Sequence, residues 1–130
     1  MVETYDPDRA PDPRLWLAAK ELELIDLVER WHDQARVRMP NPRVHAALHV
    51  MVENQAALRE QTPVAEAIKR LMGEDLSRHE ALHAIGSVLL THMNNAAATN
   101  VPVSREAYYA DVRALTKDVW RRDYSLDGPE

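Results

Sequence analysis

The 130-residue sequence contains no cysteine, no phenylalanine and only three glycines. Without cysteine there is no disulfide, no thiol nucleophile and no thiolate ligand, so any bound metal must be held by imidazole and carboxylate. With Phe absent and Ala, Leu, Glu and Arg abundant, strand formers are scarce and helix formers plentiful. The expected fold class is all-α, a single-domain bundle of about five helices. Positive charge is also in deficit. The formal net charge is −5, and the Lys and Arg residues are scattered rather than massed, so no nucleic-acid partner is expected. No apolar run approaches the roughly eighteen residues of a membrane span, which argues against a membrane partner. The opening Met1-Val2-Glu3-Thr4-Tyr5-Asp6 is acidic where a signal peptide would be basic and then apolar, and a cytoplasmic location is expected.

What is present fits an ordinary globular domain: 45% hydrophobic and 28% charged residues, enough for one core but not two. Residues 1–13, rich in Pro and Asp without apolar periodicity, read as a mobile N-terminal arm. A helical bundle is expected over 14–123 and a loose tail over 124–130. A first helix runs from Arg14 to about Gln34, with apolar stripes through Leu15, Leu22 and Ile25 and through Leu17, Leu24, Leu27, Val28 and Trp31. Asn41 followed by Pro42 has the order of an N-cap and first helical residue and starts a second helix, reaching about Glu60. Thr62-Pro63 starts a third, which Gly73 ends. Ser77 with Glu80 has capping-box spacing and opens a fourth through the apolar run from Ala81 to Met93. Ser104 caps a last helix with Tyr108, Val112, Leu115 and Val119 on one face.

The chemistry lies in the second and fourth helices. His45, His49 and Glu53 are spaced i, i+4 and i+8, which at about 100° per residue spreads them over only about 80° of the helix. Leu48, Val52 and Ala56 share that face, so the imidazoles point inward. His79 and His83 stand one turn apart, and the stripe continues through Leu82, Gly86, Leu89, Leu90 and Met93. Each neutral imidazole brings one donor and one acceptor, and burying either without a partner costs about 1–3 kcal/mol. One metal ion answers several acceptors at once, and two His one turn apart are well placed to share it. The expected metal ligands are therefore His45, His49, Glu53, His79 and His83, around a transition metal, with zinc or iron favoured by frequency. The competing reading is a metal-free network in which His and Glu bond one another and the backbone.

Glu80 carries three readings. In His79-Glu80-Ala81-Leu82-His83 it holds the general-base position of the His-Glu-x-x-His zinc peptidase motif, and it is the candidate catalytic residue. It is equally the capping partner of Ser77, the favoured reading, since the peptidase motif normally lies in a longer helix under a sheet edge. With His83 it also forms the Glu-x-x-His unit of ferritin-like bundles, but the second helix lacks the matching unit. His32, near the end of the first helix, reads as an interfacial residue or a helix C-terminal cation more readily than as a ligand. His92 lies about 180° around its helix from His83, outside the site. Gly86 reads as a close helix approach and Tyr108 and Tyr109 as core, while Glu106 is the candidate third ligand of a miniature zinc peptidase and equally well a helix N-terminal charge.

At these residues the sequence resembles a family of small, mostly proteobacterial proteins known only as a domain of unknown function. The shared pattern is Asn-Pro-x-x-His-x-x-x-His-x-x-x-Glu-x-Gln, matched by Asn41, Pro42, His45, His49, Glu53 and Gln55. A later His-x-x-x-(His or Met) before a Leu-rich helix resembles His79 to Leu90, and the resemblance covers roughly residues 20 to 115. It implies an all-helical fold and brings no activity, substrate or cofactor.

The function expected is a metal-binding helical bundle, whose chemistry, were it an enzyme, would be metal-assisted hydrolysis or oxygen activation. The alternative is a non-enzymatic interaction module with a structural His network, and a miniature zinc peptidase ranks last. The partners left open are the metal ion and a second copy of the chain in a homodimer.

Overall fold

In a computed structural model, which describes residues 2–37 and 39–124, every regular element is helical. Helix α1 spans Pro13–Ala18, with Pro13 in its first turn and the Asp12 carboxylate accepting from the Arg14 and Leu15 N–H groups. Helix α2 follows at Glu21–Gln34. The sequence reads as one helix across this stretch, but the chain is extended at Ala19 and Lys20, where neither Gly nor Pro announces a break. Packing supplies the reason. Trp16 and Val28 are both buried on the side of the next helix, α3, and on one continuous helix they would point about 120° apart.

Helix α3, Pro42–Ala57, begins as its sequence predicts, with the Asn41 side chain accepting from the Val44 N–H. It ends slightly earlier than expected, passing into a 3-10 turn at Arg59–Gln61 whose first residue has a positive φ of 54°. Helix α4, Val64–Met72, is capped at Gly73. Helix α5, Arg78–Thr99, starts at the Ser77/Glu80 capping box and runs past Met93 through Asn94–Thr99, ending at Asn100 in the left-handed conformation that Asn tolerates. Helix α6, Arg105–Ala114, is capped by Ser104, and a short α7, Lys117–Val119, continues into a π-helical turn at Trp120–Tyr124. Among the described residues there are thus seven α-helices in place of about five, the extra two being α1, split from α2, and α7. The all-α class is as expected. Of the tail expected to be loose, Tyr124 packs on the core, and 125–130 lie outside the described residues. No helix among the described residues is long and apolar enough to cross a membrane.

Helix α3 is central, packing against α1 and α2 on one side and α4 and α5 on the other. One apolar cluster joins Tyr5, Trp16, Leu24, Ile25, Val28, Ala46 and Val50. A larger one joins Val52 to residues of α4, α5, α6 and the C-terminal turn, including Leu71, Ile85, Val112 and Leu115. Each fully buried Leu, Ile or Val contributes about 1.5–3 kcal/mol by leaving water. The polar constellation sits where α2, α3 and α5 meet.

The segment expected to be a mobile arm departs from that reading. Tyr5 is buried, and residues 6–9 form a tight turn in which Asp6 accepts from the N–H groups of Asp8 and Arg9 around Pro7. Pro and Asp, read as signs of disorder, are here the chemistry of a turn.

Candidate metal centre

Five imidazoles converge. His45 and His49 come from α3, His79 and His83 from the first turns of α5, and His32 from the last turn of α2. Their rings stand edge to face or tilted at centroid distances of 4.2 Å (His79–His83), 4.7 Å (His32–His45 and His32–His49) and 4.8 Å (His45–His83). One nitrogen from each can be chosen so that all five lie within 4.8 Å of one another, and the Nε2 atoms of His49 and His83 are 3.1 Å apart. The four histidines expected from the sequence are thus together. His32, expected to stand apart, joins them because it continues the buried stripe Leu24, Val28, His32 at i, i+4 and i+8.

The arrangement fits a metal ion by its donors and by its spacing. Imidazole nitrogens lie about 2.0–2.1 Å from zinc, so two ligands of one ion stand at most about 4.2 Å apart. A set spanning 4.8 Å therefore closes on an ion with shifts of about half an ångström. Burial, reinforced by the neighbouring imidazoles of His83, His45, His32 and His79, holds the His49 pKa well below the ordinary histidine value. The ring stays neutral and keeps a lone pair to offer.

Hydrogen bonds behind the rings determine which nitrogens face inward. His32 Nδ1 is 2.9 Å from the Val28 carbonyl oxygen, an acceptor only, so Nδ1 carries the proton and Nε2 the lone pair. His49 Nδ1 is 3.0 Å from the Tyr5 hydroxyl, which donates its single proton to Glu53 Oε2 at 2.8 Å. Burial, with the Glu53 charge next in weight, raises the Tyr5 pKa well above its usual value, so the phenol retains that proton. The Tyr5 oxygen must then accept from His49 Nδ1–H, which leaves Nε2 as the free base toward the cluster.

Glu53 lies behind the imidazoles rather than among them. It is 1% exposed, and its two oxygens take the Arg78 guanidinium at 2.7 and 2.8 Å, Arg78 being 7% exposed. This bidentate pair consumes the carboxylate that its i+8 spacing from His45 offered as a ligand. Desolvation, the largest single effect, works against the Arg78 charge, but the hydrogen bonds to Glu53 together with the surrounding negative charge, that of Glu53 foremost, raise the Arg78 pKa. Sequence inspection passed over Arg78, although it heads the buried stripe Arg78, Leu82, Ile85 and Leu89 on α5. It also passed over Tyr5, whose partners stand 44 and 48 residues away and leave no local signal.

Glu80 is exposed, and its carboxylate accepts from the Ser77 N–H at 2.9 Å while Ser77 accepts from Glu80 N–H. One residue after His79, it points about 100° away from the ligand face, and capping, not the general-base position, describes its contacts. His92 stands outside the cluster, 2.6 Å from Asp111. Tyr108 is a core residue donating to Gln55 at 2.6 Å, and burial raises its pKa. Gly86 is buried, and a methyl group added there would meet nothing within 4 Å among the described residues, so the space the sequence assigned to a close helix contact is open.

No curated protein and no solved structure matches the chain. A family model described as a domain of unknown function, DUF1841, matches residues 22–114, a span that carries all five clustered histidines together with Glu53 and Arg78. Since that match covers well over half of the sequence, the chain belongs to the DUF1841 family.

Proposed function

We propose that this protein binds one transition-metal ion through His32, His45, His49, His79 and His83. The observation that carries the reading is the convergence of five ring nitrogens drawn from three helices, two of them presented by hydrogen bonds to their far sides. Metal-ligating histidines commonly donate their other N–H to a carbonyl, a carboxylate or a water. Here a backbone carbonyl and a phenol bonded to a carboxylate take that part. A set of imidazoles with no thiolate suits zinc, iron, copper or nickel, with zinc or iron favoured by their abundance. Such an ion would supply Lewis acidity for hydrolysis or, if redox-active, oxygen activation.

His32 also lines a cleft of about 460 Å³ with Asp26, Glu29, Arg30, Asp33, Val37, Pro42 and Arg43. A substrate in that cleft would meet the cluster from the α2 side. A metal-free network is the competing reading, supported by the direct 3.1 Å contact between the His49 and His83 nitrogens.

Native mass spectrometry and elemental analysis of protein purified without a His tag separate the two. The metal reading expects about one equivalent of a transition metal per chain, as purified or after incubation with zinc or ferrous iron. Less than about 0.2 equivalents under every condition would leave the metal-free network.

A further inference from the structure

Residues 5–8 touch the histidine-bearing helices at four points. Tyr5 meets His49 and Glu53 on α3, the Pro7 carbonyl accepts from Arg78 Nη1 at 2.9 Å, and the Asp8 carboxylate accepts from the His79 N–H at 3.1 Å. None of these four residues lies within the span matched by the family model. The tight turn over residues 6–9 and the packing of Tyr5 against Trp16, at a centroid distance of 5.6 Å, hold the segment in place.

We propose that Tyr5 is a positioning residue of the metal centre, holding His49 as the Nδ1–H tautomer so that Nε2 faces the ion. The proposal rests on the metal reading. An imidazole alone in water exchanges its proton between both nitrogens, and only the hydrogen bond on the far side selects one. The selecting element is a chain of three groups. Arg78 fixes the Glu53 carboxylate, Glu53 takes the Tyr5 proton, and the Tyr5 oxygen is left able only to accept from His49. Reversing the Tyr5 hydroxyl would put its proton against His49 and set the phenol and carboxylate oxygens 2.8 Å apart with no hydrogen between them, and since the Glu53 carboxylate, paired with Arg78, can only accept, the pair imposes the direction. Asp8 adds a second brace by accepting the backbone N–H of His79 at the start of α5, where a negative charge is also favoured by the helix dipole.

The test uses the full chain. In metal-free protein, long-range proton–nitrogen NMR should show His49 with a protonated Nδ1 and a lone pair on Nε2. Tyr5→Phe, which keeps the ring on Trp16 and removes only the hydroxyl, should populate the other tautomer. It should also weaken zinc binding, measured in competition with a chromophoric chelator, by about 10- to 100-fold. Tyr108→Phe is the control, since it keeps the ring beside His92 and removes a comparable buried hydroxyl hydrogen bond outside the five-histidine cluster. It should lower stability without moving zinc affinity. A wild-type His49 protonated on Nε2, or a Tyr5→Phe protein whose zinc affinity falls no further than that of Tyr108→Phe, would overturn the proposal. Failure of the wild type to bind either zinc or ferrous iron would overturn the metal reading, and the tautomer measurement would still decide whether Tyr5 sets the ring of His49.

Discussion

His49 shows how much of the centre is determined by a few atoms. Its Nδ1 is committed to Tyr5, its Nε2 faces His83, and its burial among four other imidazoles keeps it neutral. Behind it the Glu53–Arg78 pair is held in the interior by mutual hydrogen bonds. A buried pair of this kind adds little over an apolar replacement, but removing one partner strands the other charge. Glu53→Ala is therefore expected to cost about 3–5 kcal/mol in chemical denaturation; a loss under about 1 kcal/mol would mean that water reaches Arg78. His49→Ala and His83→Ala should each lower the melting temperature more in metal-loaded than in chelator-treated protein, because binding free energy adds to folding only when the ligand set is complete. His92→Ala, whose ring faces Asp111, should leave metal affinity unchanged. Equal losses in both forms of the first two variants would contradict the assignment. The sequence makes four of the five histidines legible through their i, i+4 spacing. It hides Tyr5, because nothing local to an aromatic in a Pro- and Asp-rich stretch announces partners on another helix.

At the scale of elements, helix starts are the most readable features, since they depend on side chains adjacent in sequence. Asn41 with Pro42, Ser77 with Glu80, and Ser104 all cap where their order predicts. These starts matter to the centre because they set the rotation at which α3 and α5 present their histidines. Ser77→Ala should cost about 1 kcal/mol of stability. Glu80→Ala should likewise weaken folding slightly and leave metal stoichiometry at the wild-type value, as elemental analysis would read. A loss of bound metal in that variant would return Glu80 to the site. The break between α1 and α2 is not readable, because Ala18-Ala19-Lys20 carries no helix-breaking residue and tertiary packing of Trp16 and Val28 on α3 imposes it. The two carboxylates read as site residues from their position, Glu53 and Glu80, are both engaged by neighbours: one by a guanidinium, the other by the helix end it caps.

Taken as a whole molecule, the chain places its histidines where three helices and two apolar clusters meet, so the centre joins α2 to α5, which otherwise make little direct contact. An ion there would act as a cross-link. Ligand present at about 100 times its dissociation constant adds about 2.7 kcal/mol to folding stability, and metal should raise the thermal midpoint accordingly. All-α architecture and a His-rich site follow from composition and periodicity. That His32 of α2 completes the set depends on how α2 lies across α3, which local sequence does not encode.

X-ray absorption spectroscopy of the metal-loaded protein tests the central claim most directly. The account predicts a first shell of nitrogen scatterers near 2.0–2.2 Å with the outer-shell pattern of several imidazoles, diminished in His32→Ala as much as in His83→Ala. A first shell dominated by oxygen with one imidazole or none, or a spectrum indifferent to His32, would contradict it.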